Sequence, residues 1–197
     1  MKKFNPQELN ELIRSRRSVF PKDYSGEKVD DSIVKQMLEN ANWAPTHKLT
    51  EPWRFVVFTG DGLKTLAAFQ SECYKQVTQA KGTFEEKKYE GLKLKPMECS
   101  HIIAVGMKRD EKKSVPELEE LGAVFCAIEN MYLTATACGI GCYLSTGGVT
   151  NFEEAKSFFG LGREDKLIGF IHVGIPKGLP SAGKRKPVEE KTKWIIA

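Results

Sequence analysis

The side chains most able to do chemistry lie in three short segments. The run Arg14-Ser15-Arg16-Arg17-Ser18 ends a short amphipathic stretch. It sets two or more guanidinium forks and hydroxyls where a helix would give way to a loop. Planar, multidentate donors of this kind suit a phosphate monoester, although a helix C-terminus also welcomes cations against its dipole. The second segment, Ala44-Pro45-Thr46-His47-Lys48-Leu49-Thr50-Glu51-Pro52-Trp53, is a proline-bracketed loop. It places a hydroxyl, an imidazole and an ammonium between Trp43 and Trp53, and can lay backbone donors and His47 along a polar ring edge. The third is Gly139-Ile140-Gly141-Cys142-Tyr143-Leu144-Ser145-Thr146-Gly147.

Other chemistries find little support. Neither Gly139-Ile140-Gly141 nor Gly160-Leu161-Gly162 continues into a dinucleotide fingerprint. No Walker lysine pattern, Gly-x-Ser-x-Gly elbow or metal-spaced His/Cys cluster occurs. His101 and His172 sit in apolar strand-like runs and read as core histidines. The five cysteines, Cys73, Cys99, Cys126, Cys138 and Cys142, form no Cys-x-x-Cys and read as reduced, mostly buried thiols. A formal charge of +4 is modest, and the positive charge is dispersed among carboxylates, which argues against nucleic acid as a partner. No apolar run has membrane-spanning length and the N-terminus does not read as a signal peptide, so a cytoplasmic location is expected.

These segments need elements to position them. Asn5, Pro6 and Glu8 signal the start of a first helix whose buried face is Leu9, Leu12 and Ile13. A second helix is expected from about Asp31 to Ala41, ended before Pro45. Arg54–Thr59, His101–Met107 and Leu167–Ile175 read as strands, with Phe55-Val56-Val57-Phe58 suited to a sheet covered on both faces. A helix follows Gly60-Asp61-Gly62. The Lys/Glu-rich stretch 74–95 reads as a solvated helix or mobile excursion, with a flap over the site as the alternative. Ser114 and Pro116 open a long helix to about Cys138. Its apolar face of Val124, Phe125, Ile128, Met131, Tyr132 and Ala135 is wider than one packing partner requires. Asn151-Phe152-Glu153-Glu154 reads as a capping box and Gly160 as a helix stop. The 197 residues suit one domain, and residues 176–197 lack a core of their own.

In order and spacing, the chain resembles the FMN-dependent nitroreductase family over nearly its whole length. Arg16-Arg17-Ser18 matches the family's Arg-Arg-Ser phosphate motif, and Ala44-Pro45-Thr46 with Pro52-Trp53 matches its Ala-Pro-Ser…Gln-Pro-Trp loop. Ala137–Gly147 resembles the Ala-x-Gly-Leu-Gly-x-x-Trp segment, and Arg185-Lys186-Pro187-Val188-Glu189-Glu190 the closing Arg-Lys-Pro-Leu-Glu-Glu. His47-Lys48 is closest to a compact subgroup with an Ala-Pro-Asp-His-Lys loop. The resemblance implies an α+β sandwich around a central mixed, mainly antiparallel sheet flanked by helices. It also implies an intertwined homodimer with FMN at the interface, the 176–197 extension wrapping the partner. Carried over, Arg16, Arg17 and Ser18 hold the phosphate and ribityl end with Arg185 assisting. Pro45, Thr46 and His47 approach from the partner subunit, and Tyr143, Leu144, Ser145, Thr146 and Gly147 lie along the flavin ring. The implied activity is reduction of nitroaromatics, quinones or similar small acceptors by NADH or NADPH through bound flavin, with no side chain as acid, base or nucleophile. An FMN-binding or sensing module with little turnover is the alternative. The chain departs from the family pattern at Phe20 and Gly183, where basic residues are common. It also departs at Leu49 and Glu51, where amides are common, and at Leu144, where Trp is usual.

Overall fold

The computed structural model describes residues 2–196. The chain forms helix α1 (Pro6–Ser15), α2 (Asp31–Asn42), strand β1 (Trp53–Thr59), α3 (Asp61–Ala80), α4 (Glu86–Leu94), β2 (His101–Met107), α5 (Glu117–Ala137), β3 (Gly141–Ser145) and β4 (Lys166–Gly174), with short 3-10 turns between several of them. Asn5 caps α1 as its position predicts, its Oδ1 accepting from the Gln7 and Glu8 amides at 3.0 and 3.5 Å. Asp30 does the same for α2 through the Ser32 amide at 2.7 Å.

The four strands pair antiparallel in the order β1-β2-β4-β3. One isolated parallel bridge, Ser18 to Cys142, ties the chain after α1 to the β3 edge, but the four strands themselves are wholly antiparallel where a mixed sheet was expected. The fold is therefore α+β, as the resemblance implied. Alternation along the strands divides the core into two layers. Ile103, Val105, Met107, Ile171 and Val173 meet Met37, Ala41, Val124, Ile128 and Met131 of α2 and α5. On the opposite face, Phe58, Ile102, Ala104, Leu167 and Phe170 meet Leu66, Tyr74 and Val77 of α3 and Ala155, Phe159 and Leu161 of the connection into β4.

Several expectations need correction. Coverage on both faces belongs to β2, buried at all seven positions. Strand β1 lies at the sheet edge and its Val57 is exposed. Leu9 and Ile13 of α1 are half exposed, so that apolar stripe is only partly covered by the described residues. The broad face of α5 is likewise covered on one side only: Val124, Ile128 and Met131 are buried while Leu118 and Phe125 are exposed. Cys126 and Cys138 are exposed for the same reason, and Cys73, Cys99 and Cys142 are buried. Residues Glu153–Phe159 form a 3-10 segment without a side-chain cap, not a capping-box helix, although Gly160 closes it at φ 69°. The 74–95 stretch is partly core: Tyr74, Val77 and Thr78 lie in the buried face of α3, while α4 is the expected solvated helix, packing back through half-buried Tyr89 and Leu92.

The start of α5 is fixed by a buried ion pair. Glu120, 1% exposed, pairs through Oε2 with Arg109 Nη1 and accepts the Asp110 amide at 2.8 Å through Oε1. Asp165 receives the Arg109 and Gly162 amides at 2.9 and 2.7 Å, tying the same knot to β4. Arg109→Met strands the Glu120 carboxylate, and urea unfolding should show a loss of about 3–5 kcal/mol. The Arg109→Met/Glu120→Leu double variant should recover most of it.

Candidate functional site

The segment after α1 is built around guanidinium groups with different employments. Arg17 supports the main chain: its Nη1 donates to the Arg14 and Arg16 carbonyls at 2.6 Å each, and its Nε to Ser181 O at 3.2 Å. The chain around Gly183 presses so close that a Cβ there would meet Arg17 Cζ at 2.5 Å. The glycine found in place of a basic residue thus makes room for Arg17. Arg16 is partly buried against α5, its Nε 3.4 Å from Glu129 Oε1 and its guanidinium 5.3 Å from the Tyr132 ring centroid. Among the described residues, neither terminal nitrogen of Arg16 has a hydrogen-bond partner. This leaves a positioned, charged fork open to an anion.

The bridge from Ser18 to Cys142, with the Val19 amide donating to Cys142 O at 2.9 Å, sets this fork beside β3. Tyr132 of α5 lies beneath. Burial raises the pKa of its phenol, opposed by hydrogen bonding with the Leu144 backbone and the Ser18 side chain. Beyond it, Tyr143 packs its ring 4.6 Å from Phe20 and 5.8 Å from His172. Leu144 and Ser145 are half-buried, and the chain then emerges at Thr146, Gly147 and Gly148. A Cβ at either glycine would meet nothing within 4 Å, so backbone there is accessible to a ligand. The structure therefore unites Arg16, Arg17, Ser18 and Tyr143–Gly147 in one region.

It does not bring Pro45, Thr46 and His47 to that region within one chain. Their loop sits at the opposite end of α5, with His47 Nδ1 on Glu119. Glu119 and Tyr132 are thirteen positions apart, about 20 Å along the axis at 1.5 Å per residue. Arg185 lies in the exposed C-terminal segment and donates only to Lys184 O among the described residues. Trp53 is a core residue, with Nε1 donating to Asn42 Oδ1 at 3.0 Å. No cluster of three or more His, Cys, Asp or Glu among the described residues suits a metal. No helix there is long and apolar enough to cross a membrane.

Both strand histidines are satisfied, as expected. His101 is buried with Ser100 Oγ at 2.9 Å and Asp31 Oδ1 at 3.2 Å. His172 links Ser145 Oγ, 3.0 Å from Nε2, to Cys99 Sγ, 3.4 Å from Nδ1. Burial, reinforced by the Lys95 charge, pushes the His172 pKa down to about 4. Burial, with Glu98 adding to it, pushes the Cys99 thiol up to about 12. The pair is thus neutral thiol and neutral imidazole, unsuited to thiolate chemistry. Sequence reasoning missed the parts of Tyr132, Glu119 and His172 here. Tyr132 and His172 carried only an apolar-core signal, and Glu119 only that of a helix-start acid.

The Nitroreductase family model matches residues 13–175, covering the segment after α1, the 44–53 loop and β3 together. The chain belongs to the nitroreductase family. A Bacillus subtilis protein provisionally named NAD(P)H nitroreductase YfhC is 28% identical over 188 residues, 93% of this chain and 92% of that protein. The crystal structure of a nitroreductase-like family protein from Bacillus cereus superposes with a TM-score of 0.82 at 25% identity over 100% of both chains. A provisionally named nitroreductase from Desulfovibrio desulfuricans, crystallised with FMN, matches with a TM-score of 0.72 at 23% identity over 99% of each chain.

The depressed His172 pKa has a consequence for stability. The unfolded chain takes up a proton near pH 6.5 and the folded chain only near pH 4, so between these values the unfolded state binds more protons. Stability present above pH 6.5 should fall by about 3 kcal/mol as pH drops to 4. Urea midpoints measured across that window should flatten in His172→Gln relative to the parent protein.

Proposed function

We propose that the protein is an FMN-dependent NAD(P)H oxidoreductase that reduces nitroaromatics, quinones or related small acceptors. The observation that carries this reading is the Arg16 guanidinium, held over the Tyr132 ring of α5 with both terminal nitrogens unspent, where the Tyr132 phenol in turn meets the Ser18 side chain and the Leu144 backbone. That donor set fits a phosphate monoester joined to a flat polar ring system. FMN, when bound, supplies hydride acceptance from the nicotinamide and donation to the acceptor.

In this reading Arg16 and Ser18 hold the phosphate, Arg17 fixes the main chain beneath it, and Arg185 assists from the C-terminal segment. Tyr143 to Gly147 lie along the ring, where outward-facing backbone and the absence of side chains at 147 and 148 allow close approach. Pro45, Thr46 and His47 come from a second copy. Two observations support that assembly. The loop lies a long way down α5 from the rest of its own site, and Leu9, Ile13, Leu118 and Phe125 leave apolar faces uncovered on α1 and α5. The exposed Trp194, Ile195 and Ile196 suit an extension over the partner. With that chemistry supplied by FMN, the side chains would bind, orient and exclude water.

One contact favours the alternative of a binding module. Phe20 packs at a tilt against Tyr143, so no cation stands at that position to stabilise a reduced, anionic flavin. Anaerobic addition of NADH or NADPH to the FMN-loaded protein separates the two. Bleaching of the flavin bands and their recovery with a quinone are expected of the enzyme, and persistent bands of a module. Arg16→Ala should raise the FMN dissociation constant about tenfold or more, the loss of a charged hydrogen bond. Its unfolding free energy should change by no more than about 1 kcal/mol, since the Glu129 pair is half exposed. Equal flavin retention by mutant and parent overturns the assignment.

A further inference from the structure

The loop leading into β1 holds its backbone against its sequence. Lys48, Leu49 and Glu51 have φ of 52°, 54° and 43°, a left-handed conformation that side chains disfavour. Leu49 is also 79% exposed, so no core contact compensates for its conformation. Such geometry persists only where the surroundings over-determine it.

The constraints are visible on both sides. Within the loop, Thr46 Oγ1 accepts the Glu51 amide at 3.2 Å and lies 3.3 Å from Thr50 Oγ1. Outside it, two tethers run to the approach and first turn of α5: Lys48 Nζ donates to Ser114 O at 2.7 Å, and His47 Nδ1 pairs with the Glu119 carboxylate. The neighbouring glutamates are committed elsewhere, Glu117 to Lys166 at 3.0 Å and Glu120 to Arg109. Glu119 is thus the member of that turn assigned to the loop.

We propose that Glu119 is a positioning residue, clamping the strained 46–51 loop so that His47 and the outward Leu49 keep one fixed presentation to flavin and acceptor. The proposal rests on the reading above that this loop serves a flavin site. With the carboxylate removed, the loop relaxes toward right-handed backbone and the presentation is lost. A rigid arm carrying an apolar tip favours flat, weakly polar acceptors, which gain from a wall that does not have to be ordered on binding.

The test uses the FMN-loaded protein and its Glu119→Ala and Glu119→Gln variants. Amide hydrogen exchange across 48–51 is measured together with FMN affinity and with KM and kcat for benzoquinone. Glu119→Ala should accelerate exchange about tenfold, as expected for one lost charge-assisted hydrogen bond, and raise KM more than it lowers kcat. Glu119→Gln keeps an acceptor for the imidazole and should restore most of both. Leu49→Gly, which tolerates the left-handed backbone, should shrink the effect of Glu119→Ala when the two are combined. Unchanged exchange in Glu119→Ala, or strictly additive effects with Leu49→Gly, overturns the proposal. If His47→Ala leaves FMN affinity and KM untouched while Glu119→Ala still loosens the loop, the clamp stands and the placement of the loop at the flavin falls.

Discussion

The carboxylate of Glu120, taken out of water at the first turn of α5, is the constraint from which the rest of the molecule is organised. An isolated charge there would be prohibitively unfavourable. Arg109 and the Asp110 amide neutralise it, and the helix N-terminus favours a negative charge at that point. The three glutamates of this turn reach in different directions: Glu117 to β4, Glu119 to the loop before β1, and Glu120 to the chain leaving β2. One helical turn thereby fixes where α5 begins relative to three other elements. Because a helix is rigid, it also fixes where α5 ends, beside β3 and the arginines after α1.

Under the proposed reading, this arrangement puts two half-sites at opposite ends of one helix. The sheet covers one side of α5 and leaves Leu118 and Phe125 in the open. In that reading a second copy covers the helix in reverse. Each end then meets the complementary end of the other chain.

Much of the scaffold was legible because its signals are local. Asn5-Pro6 announces a helix start by satisfying orphan amides, and the β2 boundaries at His101 and Met107 follow from an apolar run bracketed by polar residues. The illegible parts depend on partners distant in sequence. Leu9 and Ile13 have the spacing of a buried stripe, but the described residues leave them half exposed. Strand β3 was hidden among glycines and takes its form from pairing with β4. The site followed the same division. Residue types in the arginine run and the 143–147 segment gave the chemistry, whereas the different tasks of Arg16 and Arg17 depend on where Ser181 and Glu129 fall in space. Nor does Lys48-Leu49-Thr50-Glu51 contain the glycine or asparagine that normally advertises left-handed backbone.

Arg14, Arg16 and Arg17 crowd three positive charges into four positions, and Arg16 spends only its Nε, on Glu129, among the described residues. Under the proposed reading, part of the native state's free energy is then held by a small molecule instead of by the polypeptide. Folded and unfolded populations shift with the free concentration of whatever fills that fork. In a cell, the steady-state amount of intact protein would track cofactor supply, and chains made during scarcity would be the first lost to proteolysis.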